Sequence, residues 1–158
     1  CRYLSSKYND VDYEEMLVDA CAAHLVRKPD QFDVIVTTNM FGDILSDLAT
    51  ELSGSLGLAG SLNAGNNHAM AQAQHGAAPD IADKNIANPI SLILSSAMLL
   101  DWLGKNRKIN KLILASNLIN DSVLELLEDR ENFTRDLGGN ASTSKITENL
   151  IKILNKII

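Results

Sequence analysis

The stretch NMFGDILSDLATELSGSLG, residues 39–57, decides how the whole chain is interpreted. Its apolar residues recur at helical intervals up to a glycine, which predicts a helix over 42–53 that ends at Gly54. Asp43 and Asp47 stand four residues apart, so both carboxylates lie on one helix face. A hard divalent cation such as Mg²⁺ would offset their repulsion. Spacing alone favours the alternative, in which Asp43 stabilises the helix start and Asp47 is merely solvated.

Composition excludes several classes of protein. The chain has 158 residues, 46% of them hydrophobic and 22% charged, which is typical of a folded globular chain. Its net charge of −6 comes without the basic stripe that binding nucleic acid requires, so we expect no nucleic-acid partner. The longest apolar run, residues 90–100, is too short to cross a bilayer and predicts a buried helix, so no membrane partner is expected.

The cysteines and the chain start are also informative. Cys1 and Cys21 are the only cysteines, and their separation gives neither a zinc signature nor a disulfide framework. They fit a reducing compartment, so we expect a cytoplasmic location, or the mitochondrial matrix if the source is eukaryotic. The sequence does not begin with methionine, and we expect an upstream part to be missing.

The remaining elements follow from periodicity and from turn residues. Asp12 and Glu15 have the spacing of a capping box before a helix over 13–27, and FDVIVT at 32–37 predicts a strand buried on both faces. The glycine-rich stretch 54–67 predicts an irregular loop that approaches something closely or turns sharply. The other predicted elements are a strand at 68–74, a long connection at 75–89, and helices at 91–103 (ended by Gly104), 107–129 and 144–157, with Ser142 and Thr143 as candidate N-caps.

Two segments carry a resemblance to a known family. FDVIVTTNMFGDILSDLATELSGSLGLAGS (32–61) and HGAAPDIADKNIANPISLILSSAMLL (75–100) closely resemble the β-decarboxylating dehydrogenases, the isocitrate and 3-isopropylmalate dehydrogenase family. The match extends over nearly the whole chain. The resemblance implies an α/β, isocitrate/isopropylmalate dehydrogenase-like fold, of which this chain is the C-terminal part of a two-domain subunit. Residues 1–53 would end the smaller, dimer-forming α/β domain, and 54–158 would form the C-terminal part of the larger, cofactor-binding α/β domain.

The resemblance also assigns a metal site. In the family, the aspartates of the GDILSD segment bind Mg²⁺ or Mn²⁺, and here these are Asp43 and Asp47. The aspartate of the VDA segment, here Asp19, completes the site of the neighbouring subunit. The implied metal holds the hydroxyl and adjacent carboxylate of the substrate and acts as a Lewis acid during oxidation and loss of CO₂.

The chain has no G-x-G-x-x-G fingerprint after a strand. The resemblance implies instead that the adenosine half of NAD binds in the connection at 75–89, whose residues 75–82 match the family's cofactor loop. A carboxylate at Asp80 accepts hydrogen bonds from the free ribose hydroxyls of NAD and repels a 2′-phosphate. Two departures stand out, because Gln72 replaces a glutamate near the nicotinamide ribose and Asp83 replaces a glycine that could need a positive φ. The implied cofactor-binding residues are His75, Gly76, Ala77, Ala78, Pro79, Asp80, Ile81, Asn88 and Gln72.

The implied function is NAD-dependent oxidative decarboxylation of a 2-hydroxy acid that bears a β-carboxylate. The TRDLGGNAST stretch narrowly favours isocitrate over 3-isopropylmalate, and homoisocitrate, tartrate and D-malate stay open. The proton-transferring lysine and tyrosine of the family belong upstream of Cys1, so no catalytic residue is assigned in this chain. A homodimer is expected. The alternatives are a non-catalytic regulatory subunit of a hetero-oligomeric isocitrate dehydrogenase, which Gln72 weakly favours and the retained aspartates oppose, and a purely structural dimerisation module.

Overall fold

The computed structural model describes residues 1–157 and divides the chain into two compact units, Cys1–Ala49 and Thr50–Ile158. The assignment of the two parts to a smaller and a larger domain stays a prediction. Among the described residues, no helix combines the length and the hydropathy needed to cross a membrane.

The first unit is helical. It contains α1 (Arg2–Ser5), α2 (Val18–Arg27) and most of α3 (Asn39–Ser53). Its small core joins Cys21 and Leu25 of α2 to Leu45 of α3, each at most 6% exposed. Because apolar residues of both helices recur at helical intervals, each helix turns one face toward this core.

Two predictions for the first unit are wrong. The helix predicted over 13–27 begins only at Val18. The predicted capping box does not form, and Glu15 accepts hydrogen bonds from Arg2 and Tyr13 instead. Segment 32–37 forms no strand, and Val34 and Val36 are 80% and 75% exposed. A strand needs a neighbour for its backbone hydrogen bonds, and the described part of the first unit contains no other strand.

The helix predicted over 42–53 is confirmed, although α3 already begins at Asn39. Gly54 follows it with φ +139°, a backbone conformation that favours glycine, as predicted. The second unit starts within the last turn of this helix.

The second unit opens with a β-hairpin. Strands β1 (Gly60–Ala64) and β2 (Ala69–Ala73) pair antiparallel in a register that runs from Gly60↔Ala73 to Ala64↔Ala69. The strand predicted at 68–74 is therefore confirmed. The prediction of an irregular loop over 54–67 is wrong, since β1 and a short 3-10 helix at Leu56–Leu58 form there.

The hairpin is attached to the long helix α4 (Ile90–Arg107) through buried serines. Ser95 Oγ donates to the carbonyl of Gln72 at 2.7 Å and accepts from the amide of Ser61 at 3.0 Å. A Cβ added at Gly60 would lie 3.1 Å from the backbone nitrogen of Ser95. The close approach predicted for the glycine-rich stretch is thus made at Gly60, where β1 lies against α4.

Helices α4, α5 (Asn110–Glu128) and α6 (Thr143–Ile157) form the core of the second unit. Gly104 does not end its helix as predicted. It lies inside α4, which ends where Lys108 adopts a φ of +56°. A Cβ at Gly104 would lie 2.6 Å from Cγ1 of Ile113, so this glycine permits close packing of α4 on α5. The helices predicted at 107–129 and 144–157 are confirmed with small shifts, and Ser142 Oγ accepts from the amide of Lys145.

Candidate functional site

The predicted metal ligands lie in the first unit. Asp43 and Asp47 are both exposed and stand one turn apart on α3. Residues at this spacing share one helix face. Within residues 1–157, no group of three or more His, Cys, Asp or Glu side chains converges as a metal site.

Asp19 lies in the first turn of α2 and is exposed. Its Oδ1 accepts a hydrogen bond from the amide of Ala20 at 2.8 Å. The predicted role of Asp19 involves the metal of a neighbouring subunit, so its contribution stays a prediction.

The second unit contains an open cavity of about 870 Å³. Three stretches of chain form its wall: the end of α3 with the turn that follows, the connection between β2 and α4, and the turn before α6. The wall carries three acidic side chains, one arginine and one histidine, and the rest is backbone and uncharged side chains. The lining residues are Glu51, Ser55, Leu56, Gly57, His75, Gly76, Ala77, Ala78, Ile81, Ala82, Asp83, Asn85, Ile86, Ala87, Asn88, Arg135, Asp136 and Thr143.

The connection between β2 and α4 has an unusual backbone. Ala78, Asp83 and Asn85 have φ values of +44°, +61° and +54°. Position 83, where the resembled family has glycine, thus has a positive φ, and aspartate and asparagine tolerate this conformation better than most residues. Lys84 Nζ donates to the carbonyl of Asp80 at 2.7 Å, which holds the 3-10 helix at Pro79–Ile81 against the next turn.

The same connection is tied to the start of α6. Asn85 Oδ1 accepts from both the amide and the hydroxyl of Ser144, at 3.1 and 3.0 Å. Thr143 Oγ1 donates to the carbonyl of Ala87 at 2.5 Å. These bonds join residues more than fifty positions apart, so the cavity wall depends on the docking of α6.

A second tie converges on Asp136. Its Oδ2 accepts from Ser55 Oγ at 2.6 Å and from Asn88 Nδ2 at 2.9 Å. Partial burial acts to raise the pKa of Asp136, but hydrogen bonds from neighbours including Ser55 and Asn88 outweigh it and hold the pKa below its ordinary value. Asp136 is therefore ionised at neutral pH.

Gly57 lies beside the hydrogen bonds that join Asp136 to Ser55 and Asn88. A Cβ there would lie 2.6 Å from Asp136 Oδ2 and 2.8 Å from both Cβ and Nδ2 of Asn88. Its amide also donates to Ser55 Oγ at 3.0 Å. The position tolerates no side chain without moving the carboxylate or the amide.

Not all predicted cofactor residues lie in the cavity wall. Six do so: His75, Gly76, Ala77, Ala78, Ile81 and Asn88. The wall, as far as residues 1–157 describe it, does not include Pro79, Asp80 or Gln72. Pro79 and Asp80 occupy the adjoining 3-10 helix, and Gln72 is exposed on β2 opposite Ser61. The imidazole of His75 is exposed, and its Nδ1 donates to the carbonyl of Gly76 at 2.9 Å.

Sequence patterns did not identify the residues from distant segments that line the cavity together with the connection between β2 and α4. Ser55, Gly57, Arg135, Asp136 and Thr143 line the cavity, yet local patterns suggested only turns and helix caps at these positions. A signal existed in the glycines of GSLG and DLGG, because closely spaced glycines indicate close approach of the backbone. What they approach could not be read from sequence.

Comparisons with known proteins agree on one family. A family model described as isocitrate/isopropylmalate dehydrogenase matches residues 1–150. A 3-isopropylmalate dehydrogenase of Saccharolobus solfataricus is 46% identical over 91% of this chain and 43% of its own length. An isocitrate/homoisocitrate dehydrogenase of Thermus thermophilus is 46% identical over 93% of this chain and 42% of its own length. A relative from Dictyostelium discoideum, named as a regulatory subunit of mitochondrial NAD isocitrate dehydrogenase, is 45% identical over 96% and 41%.

Among solved structures, an isocitrate dehydrogenase from Methylococcus capsulatus superposes with a TM-score of 0.88 at 41% identity. The match covers 97% of this chain and 44% of that one. This likeness confirms the predicted α/β fold class, although the described residues are mostly helical with one small sheet. The chain spans less than half the length of the curated relatives it matches.

Proposed function

Since this chain belongs to the isocitrate/isopropylmalate dehydrogenase family, we propose that it supplies the metal side and the adenosine side of an NAD-dependent oxidative decarboxylation. The substrate is a 2-hydroxy acid bearing a β-carboxylate, with isocitrate narrowly favoured over 3-isopropylmalate. One observation carries the proposal: six of the nine cofactor residues expected from sequence line a single cavity with Asn88 at its buried edge.

The cavity fits the adenosine half of NAD in size and chemistry. Its volume of about 870 Å³ falls within the range of about 300–1,000 Å³ that is usual for ligand pockets. Backbone groups around Gly76 and Ala77 lie in a loop that lets a ligand approach closely, and most residues of the wall carry no acidic or basic side chain. When bound, NAD accepts the hydride from the substrate, and this chain's own part is to orient the adenosine.

Selection of NAD over NADP rests on Asp80. Its side chain is exposed on the 3-10 helix beside the cavity. A carboxylate in that place would accept hydrogen bonds from a ribose that reaches the cavity rim, and it would repel a 2′-phosphate. Ile81, in the cavity wall, offers no group that binds a phosphate.

The metal proposal rests on Asp43 and Asp47. Two exposed carboxylates on one helix face match the preference of Mg²⁺ or Mn²⁺ for oxygen ligands, with other coordination positions left to water and substrate. When bound, the cation supplies Lewis acidity toward the hydroxy acid. Asp19 would serve the metal of the partner subunit in a homodimer. The exposed apolar side chains of Val26 and Ile44, at 61% and 57%, support burial of this helical unit against a second copy.

A regulatory subunit is the second candidate. The observation that favours it is Gln72, where the resembled enzymes have glutamate, together with the 45% identity to a relative named as a regulatory subunit. The retained Asp19, Asp43 and Asp47 oppose it, because a subunit without turnover has no need of three metal ligands.

A direct assay separates the two. We would express the full-length polypeptide that carries this sequence and measure NAD reduction with Mg²⁺ against isocitrate, 3-isopropylmalate and D-malate. Turnover with any of these acids, and its loss on chelation of the metal, is the expected result. If the folded protein turns over none of them alone but raises the activity of a partner subunit, the regulatory function replaces the catalytic one.

A further inference from the structure

Within the cavity wall, the amide of Asn88 is fixed at both ends. Its Nδ2 donates to Asp136 at 2.9 Å, and its Oδ1 accepts from the backbone amide of Ile90 at 3.0 Å. The residue is only 8% exposed. A flipped amide would place its oxygen against a carboxylate and its NH₂ against an N–H donor, so one orientation is enforced.

Asp136 is itself fixed. Ser55 donates to the same Oδ2 at 2.6 Å, and this hydroxyl also accepts from the amide of Gly57. The absence of a side chain at Gly57 leaves the space in which the carboxylate and the amide of Asn88 meet. Three segments far apart in sequence therefore meet on one carboxylate oxygen.

We propose that Asp136 is a positioning residue for nucleotide binding. It fixes the orientation of the Asn88 side chain, and Asn88 in turn shapes the buried edge of the cavity that receives an adenine ring. The inference rests on the proposed function, since it assumes that the cavity takes the adenosine half of NAD. Asp136 acts through Asn88 and joins the turn before α6 to the connection before α4. A charged acceptor suits this role because hydrogen bonds to ionised groups are stronger than those between neutral groups.

The test uses the full-length polypeptide and two probes, AMP and NAD. Asp136→Asn is expected to weaken AMP binding by about tenfold or more, since loss of a hydrogen bond to a charged group costs roughly that much. The KM for NAD should rise similarly, whereas kcat at saturating NAD should stay within about twofold. The control is Asp101→Asn, which removes a carboxylate that pairs with Lys105 at 2.6 Å on α4 and lines a different cavity.

A double-mutant cycle distinguishes positioning from general destabilisation. If Asp136 acts through Asn88, the double variant Asp136→Asn with Asn88→Ala should bind AMP no more weakly than Asn88→Ala alone. Additive losses of AMP affinity would overturn the proposal, as would unchanged affinity in Asp136→Asn. Melting temperatures are recorded for each variant, because a purely structural role would shift them without coupling to Asn88.

Two further outcomes are distinct. If Asp136→Asn does not fold, Ser55→Ala replaces it. We expect a smaller loss of AMP affinity, about threefold, from loss of one neutral donor. Unchanged affinity in folded Ser55→Ala would count against the proposal.

If the unmodified protein binds neither AMP nor NAD, the proposed function fails, and this inference fails with it. Binding to the unmodified protein with no effect in Asp136→Asn overturns the inference alone.

Discussion

Ser55 Oγ donates to Asp136 Oδ2 at 2.6 Å, although the two residues are 81 positions apart in the sequence. The contact joins the turn after α3 to the turn before α6. Two stretches that each look like ordinary connections thereby become opposite parts of one cavity wall.

The space beside this contact leads to a prediction for Gly57. Gly57→Ala should lower the free energy of unfolding by about 1–3 kcal/mol, because the added methyl group overlaps Asp136 and Asn88. Denaturant unfolding of the full-length polypeptide measures the change. The matched control is Gly76→Ala in the same cavity wall, where an added Cβ meets nothing within 4 Å. An equal loss of stability in both variants would contradict the explanation.

The core of the second unit gives a prediction for α6. Ile146 is completely buried against residues that include Val123 and Leu126, so Ile146→Ala should cost about 2–5 kcal/mol of unfolding free energy. Ile151→Ala, on the same helix but 49% exposed, should stay within about 0.5 kcal/mol. Hydrogen exchange should also quicken around Asn85 in the Ile146 variant, because Asn85 is bonded to Ser144 at the start of α6. Unchanged exchange there would show that the cavity wall does not depend on the docking of α6.

The metal proposal predicts the behaviour of Asp43→Asn. Changes to residues that merely orient metal ligands cost about 10–100-fold in metal affinity, so loss of a direct ligand should weaken Mn²⁺ binding at least that much. Titration with Mn²⁺ and the Mn²⁺ dependence of turnover measure it. Asp30→Asn, an exposed aspartate of the first unit outside α3, is the control and should leave both unchanged. If turnover and Mn²⁺ affinity both survive Asp43→Asn, the metal assignment is wrong.

Cofactor choice depends on the charge at position 80. Asp80→Lys should raise the KM for NAD by about tenfold and lower that for NADP, because the new cation attracts a 2′-phosphate and cannot accept from ribose hydroxyls. Asp80→Asn keeps the size of the side chain and removes its charge. Its KM values for NAD and NADP should lie between those of the unmodified protein and those of Asp80→Lys. Steady-state kinetics with both cofactors provide the measurement. A KM for NAD that is the same in all three proteins would refute the ribose contact.

Local pattern predicted much of the fold correctly. The apolar periodicity before Gly54 placed α3, because a helix that buries one face repeats its apolar residues about every 3.6 positions. The apolar run at 90–100 placed α4 by its length, since this helix has little one-sided apolar pattern. The segment at 32–37 was misjudged for the converse reason. Its β-branched residues satisfy the local preference for a strand, but a strand exists only where a second strand supplies hydrogen bonds.

The candidate site divides in the same way. Sequence by itself determined the family, the placement of Asp43 and Asp47 on one helix, and the connection that carries His75 and Asn88, since each of these lies within a continuous stretch of chain. Tertiary structure alone decided that β1 lies on α4 and that Asp136 closes the cavity from 48 residues beyond Asn88. The physical reason is that contacts between distant segments depend on which surfaces meet when the helices pack, and no local periodicity records that choice.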